Sequence, residues 1–379
     1  MAYFHEFVKS FDDFAPPRLF SIRDPGIYAA SVSFVNAFPR AARARVTAAS
    51  AILAAALVLH PDIGSAQSSR PVNEHASPEA RQLLAYLYSL SGHRILSGQH
   101  NYNHEMSRYL ERAHELSGKY PALWGTDFIF NDTTDPGDRI VAEAIRKHRE
   151  GYIVTLMWHA GRPIDDPPFR WKESIQAELT DAEWKSLTTP GTALNKRWQV
   201  QVDRLAGHLA QLRDARVPVL WRPYHEMNGV WFWWGDKRGP NGYQKLWKMM
   251  FDRFVNVHHL DNLIWVWDAN GPRDIPHDQA YEYSLYYPGA RYVDVLATDI
   301  YNFDYEQKDY EELLRLAKGK PIALGEVGEL PKAEILDAQP KWVWFMVWSN
   351  WLETHNTPER VKEVYGSPRT LTHDEVRLP

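Results

Sequence analysis

Two glutamates occupy settings in which carboxylate chemistry can be read from the neighbouring residues. Glu226 lies in Trp221-Arg222-Pro223-Tyr224-His225-Glu226-Met227-Asn228-Gly229, and Glu326 in Ile322-Ala323-Leu324-Gly325-Glu326-Val327-Gly328. Each follows a short apolar run of strand character. Paired carboxyl groups across an aromatic-walled pocket suit hydrolysis of a glycosidic bond. One protonates the departing oxygen; the other attacks the anomeric carbon or activates a water. At a separation of about 5–5.5 Å the second is a nucleophile and configuration is retained. Like charges that close do not both ionise readily, so one carboxyl keeps its proton near neutral pH. On the residues alone, surface or salt-bridged carboxylates are the competing reading.

The flanking residues add detail. Arg222 could hold a carboxylate through two parallel bonds. His225 could bond a sugar hydroxyl or an acid, or be a satisfied core histidine. Asn228 could place an amide near a reacting group, or form a turn with Gly229. Trp231-Phe232-Trp233-Trp234 cannot all be core within a loop, so at least one indole is expected to face a cleft. Seven of the 16 Trp fall between Trp221 and Trp267. An indole is a flat apolar plate with one donor, suited to stacking on sugar rings. The chemical rival is a metal site gathering His100, His104, Glu105 and His159. H-E-x-x-H is absent, and the expectation is no catalytic metal and no cofactor. Asp127, Asp268 and Asp299 are expected to anchor loops or bond the catalytic groups.

From His75 onward, strand and helix patterns alternate. The strand candidates, eight in all, are Arg94–Gly98, Ala122–Asp127, Ile153–His159, Val217–His225, Leu263–Asp268, Val293–Asp299, Pro321–Glu326 and Trp342–Trp348. Helical patterns cover His104–Ser117, Arg139–Glu150, Asn195–Arg213, Tyr243–His258 and Asp309–Ala317. This predicts an α/β fold, a (β/α)8 TIM barrel over 75–379, with a loop or short helices at Ala160–Pro190 and a short tail at Thr357–Pro379. A doubly wound open sheet is the alternative, but no glycine-rich nucleotide fingerprint follows the first strand. In a closed barrel the fourth and seventh strands face one pocket, which would bring Glu226 and Glu326 together.

The 379 residues carry 43 Lys+Arg against 48 Asp+Glu and no Cys. That balance argues against nucleic acid as the main partner, and the missing cysteines exclude disulfides and thiolate chemistry. Residues 1–74 read as an N-terminal extension, signal peptide and linker. Arg40, Arg43 and Arg45 precede an apolar run, Val46–Leu59, with Ser65-Ala66-Gln67 as the cleavage region. The run is shorter than the roughly 20 residues of a membrane span. Export to periplasm or medium is therefore expected, with no stable membrane insertion after processing.

The stretch from Trp221 through Gly229, continued by Val230-Trp231-Phe232-Trp233-Trp234-Gly235, resembles glycoside hydrolase family 26, whose main members are endo-β-1,4-mannanases. Leu324-Gly325-Glu326-Val327-Gly328 supports the resemblance, which covers about 75–378. The resemblance implies a (β/α)8 barrel, Glu226 as acid/base, Glu326 as nucleophile, and retention. It implies that His159 and His225 line the −1 and neighbouring subsites and that Trp231 lies beside the acid/base. It further implies that Tyr301 bonds the nucleophile and that Trp348 is a stacking platform. The substrate would be mannan, glucomannan or galactomannan. The family also holds β-1,3-xylanases and mixed-linkage β-glucanases, and a barrel that binds polysaccharide without cleaving it is the reading from another class.

Overall fold

The computed structural model describes residues 69–129 and 136–377. The apolar run Val46–Leu59 and the cleavage region lie outside these residues. Among the described residues no helix is long and apolar enough to cross a membrane.

Eight parallel strands carry the fold: β1 Ile95–His100, β2 Leu123–Ile129, β3 Ile153–His159, β4 Val219–Pro223, β5 Leu263–Asn270, β6 Val295–Ile300, β7 Ile322–Val327 and β8 Trp342–Val347. Each pairs with the next, and β1 pairs with both β8 and β2. The sheet is thus closed, a (β/α)8 barrel rather than an open doubly wound sheet. The expected tail is not outside it. Thr357 caps a helix at Pro358–Gly366, and Thr370–Leu371 pairs with Ile95 and Leu96 of β1.

Side chains alternate along each strand. Leu263, Trp265, Trp267 and Ala269 of β5 join the apolar layer beneath the outer helices. Ile264 and Val266 of β5, Val295 and Ala297 of β6, and Trp344 and Met346 of β8 form a separate inner cluster. Helix α1, Pro78–Leu90, belongs to that inner cluster. Ser77 caps it by accepting from the Ala80 amide, and Pro78 opens its first turn. Its buried face, Ala80, Leu83, Leu84, Leu87 and Leu90, repeats at helical spacing. The Ser77 amide donates to the Asp261 carbonyl just before β5. So α1 plugs the end of the barrel where strands begin, and each buried leucine there contributes about 1.5–3 kcal/mol. Barrel contacts start before the expected boundary at His75, since the Val72 amide donates to Asp294 at 2.7 Å.

At the other end the same inward positions turn polar: Asp268 and Asn270 on β5, Asp299 on β6 with Tyr301 just beyond, and Trp348 just beyond β8. Strand β4 stops at Pro223, short of the expected His225. Pro223 has no amide to donate, and Tyr224 and Glu226 take left-handed backbone, φ 49° and 52°. Such conformations cost roughly 1–3 kcal/mol each and gather at functional sites. On β7 the pairing with β6 shifts: Thr298 faces Leu324, whereas Asp299 faces Glu326. Gly325 is therefore an extra, bulged residue. Ala323 points inward and Leu324 outward; the bulge lets Glu326 point inward as well.

Candidate active site

The chain leaving β4 delivers Glu226, whose amide donates to the Asp268 carbonyl at 2.8 Å. Its two carboxyl oxygens accept from neutral donors: Asn270 Nδ2 to Oε1 at 2.8 Å and Trp231 Nε1 to Oε2 at 2.7 Å. The residue is 8% exposed. Burial, followed by the charge of Glu326, pushes its carboxyl up to about 7. It therefore holds a proton in the range where an acid catalyst is useful. Gly229 has a local reason: a Cβ there would come within 2.3 Å of the Trp231 ring, which folds back across it toward Glu226.

Glu326 has a different setting. Tyr301 donates to Oε2 and Arg222 to Oε1, both at 2.7 Å. Burial pushes its carboxyl up, while Arg222 and Tyr301 favour the anion. Arg222 does not fork onto one carboxylate as expected. Its Nε goes to Asp268 at 2.6 Å and its Nη2 to Glu326, with Asp299 at 3.7 Å. The arginine stands among three acidic groups, so a fork spent on one would leave the others unbalanced. Burial opposes its charge, but the surrounding Asp268, Glu326 and Asp299 hold it protonated. Burial and the neighbouring acids push Asp299 well above the carboxylate range, which favours its protonated form. A Cβ at Gly325 would lie 2.2 Å from Asp268 Oδ1, so the bulge also makes room for the aspartate that grips Arg222.

Histidines and indoles form the remaining wall. His159 Nδ1 pairs with Asp127 at 2.9 Å, and its ring meets His225 edge-on at 4.7 Å between centroids. His225 Nε2 approaches Glu326 Oε1 at 3.9 Å. Burial, then His159 and Arg222, hold His225 well below the usual imidazole range, so it is neutral. Trp348 stacks on His100 at 4.1 Å, and Trp171 packs beside His159 at 5.0 Å.

Trp348 also meets His159 edge-on at 6.3 Å, so the expected site residues Glu226, Glu326, His159, His225, Trp231, Tyr301 and Trp348 are linked by these contacts, directly or through a neighbour. Of the four-aromatic run, Trp231 alone is only partly buried; Phe232, Trp233 and Trp234 are core. Asn228 takes the expected turn role, since the Gly229 amide donates to the Glu226 carbonyl at 3.0 Å around it. Its side chain also locks the β5 end by accepting from the Asn270 amide at 2.8 Å and donating to the Asn270 carbonyl at 2.7 Å. Asn270 and Arg273 carry no local motif; only the polar end of an apolar strand could have flagged Asn270. His100, His104 and His159 form no metal-sized group among the described residues, whereas His225, Glu226 and Asp299 offer ligand atoms within 4.8 Å of one another. Both Glu226 oxygens in that trio already accept hydrogen bonds.

Comparisons with known proteins agree with this geometry. The profile of glycosyl hydrolase family 26 matches residues 72–375. A mannan endo-1,4-beta-mannosidase of Thermothelomyces thermophilus is 35% identical over 320 residues, covering 80% of this chain and 63% of that protein. The chain thus spans somewhat less than two thirds of that relative. The structure of GH26A from Muricauda sp. MAR_2010_75 superposes with a TM-score of 0.80 at 62% identity, covering 80% of this chain and 99% of that one. A beta-mannanase from a symbiotic protist of the termite Reticulitermes speratus, solved with gluco-manno-oligosaccharide, superposes with a TM-score of 0.72 at 31% identity over 82% and 98% of the two chains.

Proposed function

Since the chain belongs to glycosyl hydrolase family 26, we propose that it cleaves internal β-1,4-mannosidic bonds of mannan, glucomannan or galactomannan with retention. Glu326 is the nucleophile and Glu226 the acid/base. The observation that carries this is the unequal setting of the two carboxyls. Glu226 meets only neutral donors and keeps its proton, whereas Glu326 meets a guanidinium and a phenol that favour its anion.

Glu326 attacks the anomeric carbon as the bond to the leaving oxygen breaks, and Glu226 gives that oxygen its proton. The resulting ester removes the negative charge of Glu326. Glu226 then loses its main charged neighbour of like sign, its acidity rises, and it can take a proton from water. That water attacks the same carbon and frees Glu326. His159 and His225 bind hydroxyls, Trp231 lies along the leaving-group side, and Trp348 is a platform for a ring. Residues 1–71 serve as export segment and linker ahead of a catalytic domain that begins at Val72, three residues before the expected boundary, which N-terminal sequencing of the secreted protein tests.

The main test is Glu326→Ala, expected to lower turnover of locust bean gum by about 10⁴-fold or more, with azide returning an inverted mannosyl azide. Glu226→Ala is expected to spare substrates with very good leaving groups. Near-native polymer hydrolysis by either variant defeats the assignment. Preferred release from lichenan or β-1,3-xylan would reassign the substrate and leave the mechanism standing.

A further inference from the structure

The segment after β5 folds into a narrow hairpin. Arg273 and Ala280 exchange backbone hydrogen bonds at 2.8 and 2.9 Å, Ala280 bridges to Gly229, and the Tyr281 amide donates to the Asn228 carbonyl. The loops after β4 and β5 are thus joined into one unit. Arg273 sits at its centre. Its Nη1 donates to Asn270 Oδ1 at 2.6 Å, its Nη2 to Asp278 Oδ1 at 2.7 Å and its Nε to the Asp278 carbonyl at 3.1 Å. The guanidinium also lies over the Trp231 ring, 5.1 Å from its centroid. Asn270 and Trp231 are the two groups that donate to Glu226. One guanidinium therefore touches both.

A carboxamide has two faces of opposite sense, an acceptor oxygen and a donor NH₂. A guanidinium has donors only. With Arg273 on one side, Asn270 must turn its oxygen to the arginine and its NH₂ to Glu226. The indole is likewise a donor only. A protonated Glu226 then finds no acceptor in either neighbour, and its O–H is left for a bound substrate. If Asn270 turned over, its oxygen would accept that proton and compete with the leaving group. We propose that Arg273 is a positioning residue that keeps Asn270 and Trp231 as donors to Glu226, so that the acid's proton is reserved for the glycosidic oxygen. The positive charge of Arg273 also favours the Glu226 anion, in the same direction. The inference rests on Glu226 being the acid/base.

The experiment measures Arg273→Ala, Arg273→Lys and Asp278→Ala against the parent enzyme, with folding checked by thermal melting. Substrates are mannan and a dinitrophenyl β-mannobioside, whose leaving group needs no proton. Arg273→Ala is expected to lose about tenfold or more in kcat/KM on mannan and little on the activated substrate. The alkaline limb of its pH profile is expected to move up by about half a unit or more, since both the charge and the amide donor are lost. Arg273→Lys, which keeps charge and a donor, is expected to recover most of the loss. Asp278→Ala leaves Arg273 present but unclamped and is expected to show the same split in smaller degree; it carries the test if Arg273→Ala does not fold. Equal losses on both substrates with an unmoved limb overturn the proposal. Glu226→Ala is the control. If it shows no split between substrates, the acid/base reading itself has failed, and that outcome is distinct from a failure at Arg273.

Discussion

Ile264 and Asp268 lie on the same strand, point the same way and are both buried. Ile264 belongs to the inner apolar cluster with α1. Asp268, two steps of the alternation higher, grips Arg222 at 2.6 Å. The lower end of the barrel excludes water by apolar contact, and each group added there stabilises. The upper end excludes water around ionisable groups, each of which costs several kcal/mol to bury and regains that only through its partners. Stability should therefore reside mainly below and chemistry above, with the strands as shared supports.

Arg222→Met probes the contrast hardest. It removes the one cation facing Asp268, Glu326 and Asp299, and is expected to abolish mannan hydrolysis and to cost about 3–5 kcal/mol in urea unfolding. An active, stable Arg222→Met protein would show that the buried acids need no cation. Leu84→Ala, at the plug, is expected to cost about 2–5 kcal/mol with kcat/KM unchanged. A fall in turnover matching the loss of stability would mean that the two ends are mechanically coupled. The gentlest probe is pH. With Glu226 pushed up to about 7, kcat/KM on mannan is expected to fall about tenfold per unit above that value, and to fall again on the acid side where Glu326 takes up a proton. The same shift bears on stability. The folded chain holds this proton more tightly than the unfolded one, so the stabilisation it provides is present at low pH and lost as pH rises through about 7. Glu226→Gln should accordingly gain in melting temperature over the parent as pH is raised, whereas Leu84→Ala should show a constant deficit.

Alternation made much of the barrel legible. β3 has the expected bounds, Ile153–His159, because its residues are apolar except Thr155 and end at a histidine. The end of β4 was not legible, because left-handed backbone at Tyr224 and Glu226 leaves no trace in a hydropathy pattern. Helix α1 escaped although its leucines have helical spacing, since it precedes the first strand and belongs to no strand-helix pair. The two glutamates were visible from their strand ends and from the family resemblance. Asn270 and Arg273 were not, because their meaning lies in hydrogen bonds between two loops distant in sequence. Among the aromatics, composition pointed at sugar stacking, yet most of the Trp221–Trp267 group is core; Trp231 differs through the indole N–H it spends on Glu226.

The bulge at Gly325 works like a parity bit. Between Ala323 and Glu326, both inward, there are two residues where a regular strand would have an odd number. Straightening the bulge with the residue count kept would turn Glu326 toward the helices and bring the aliphatic Val327 to the catalytic centre, whereas deleting Gly325 together with the bulge would leave Leu324 alone between the two and Glu326 still inward. In grafting β7 between relatives, the residue count and the bulge across this interval have to be carried over together.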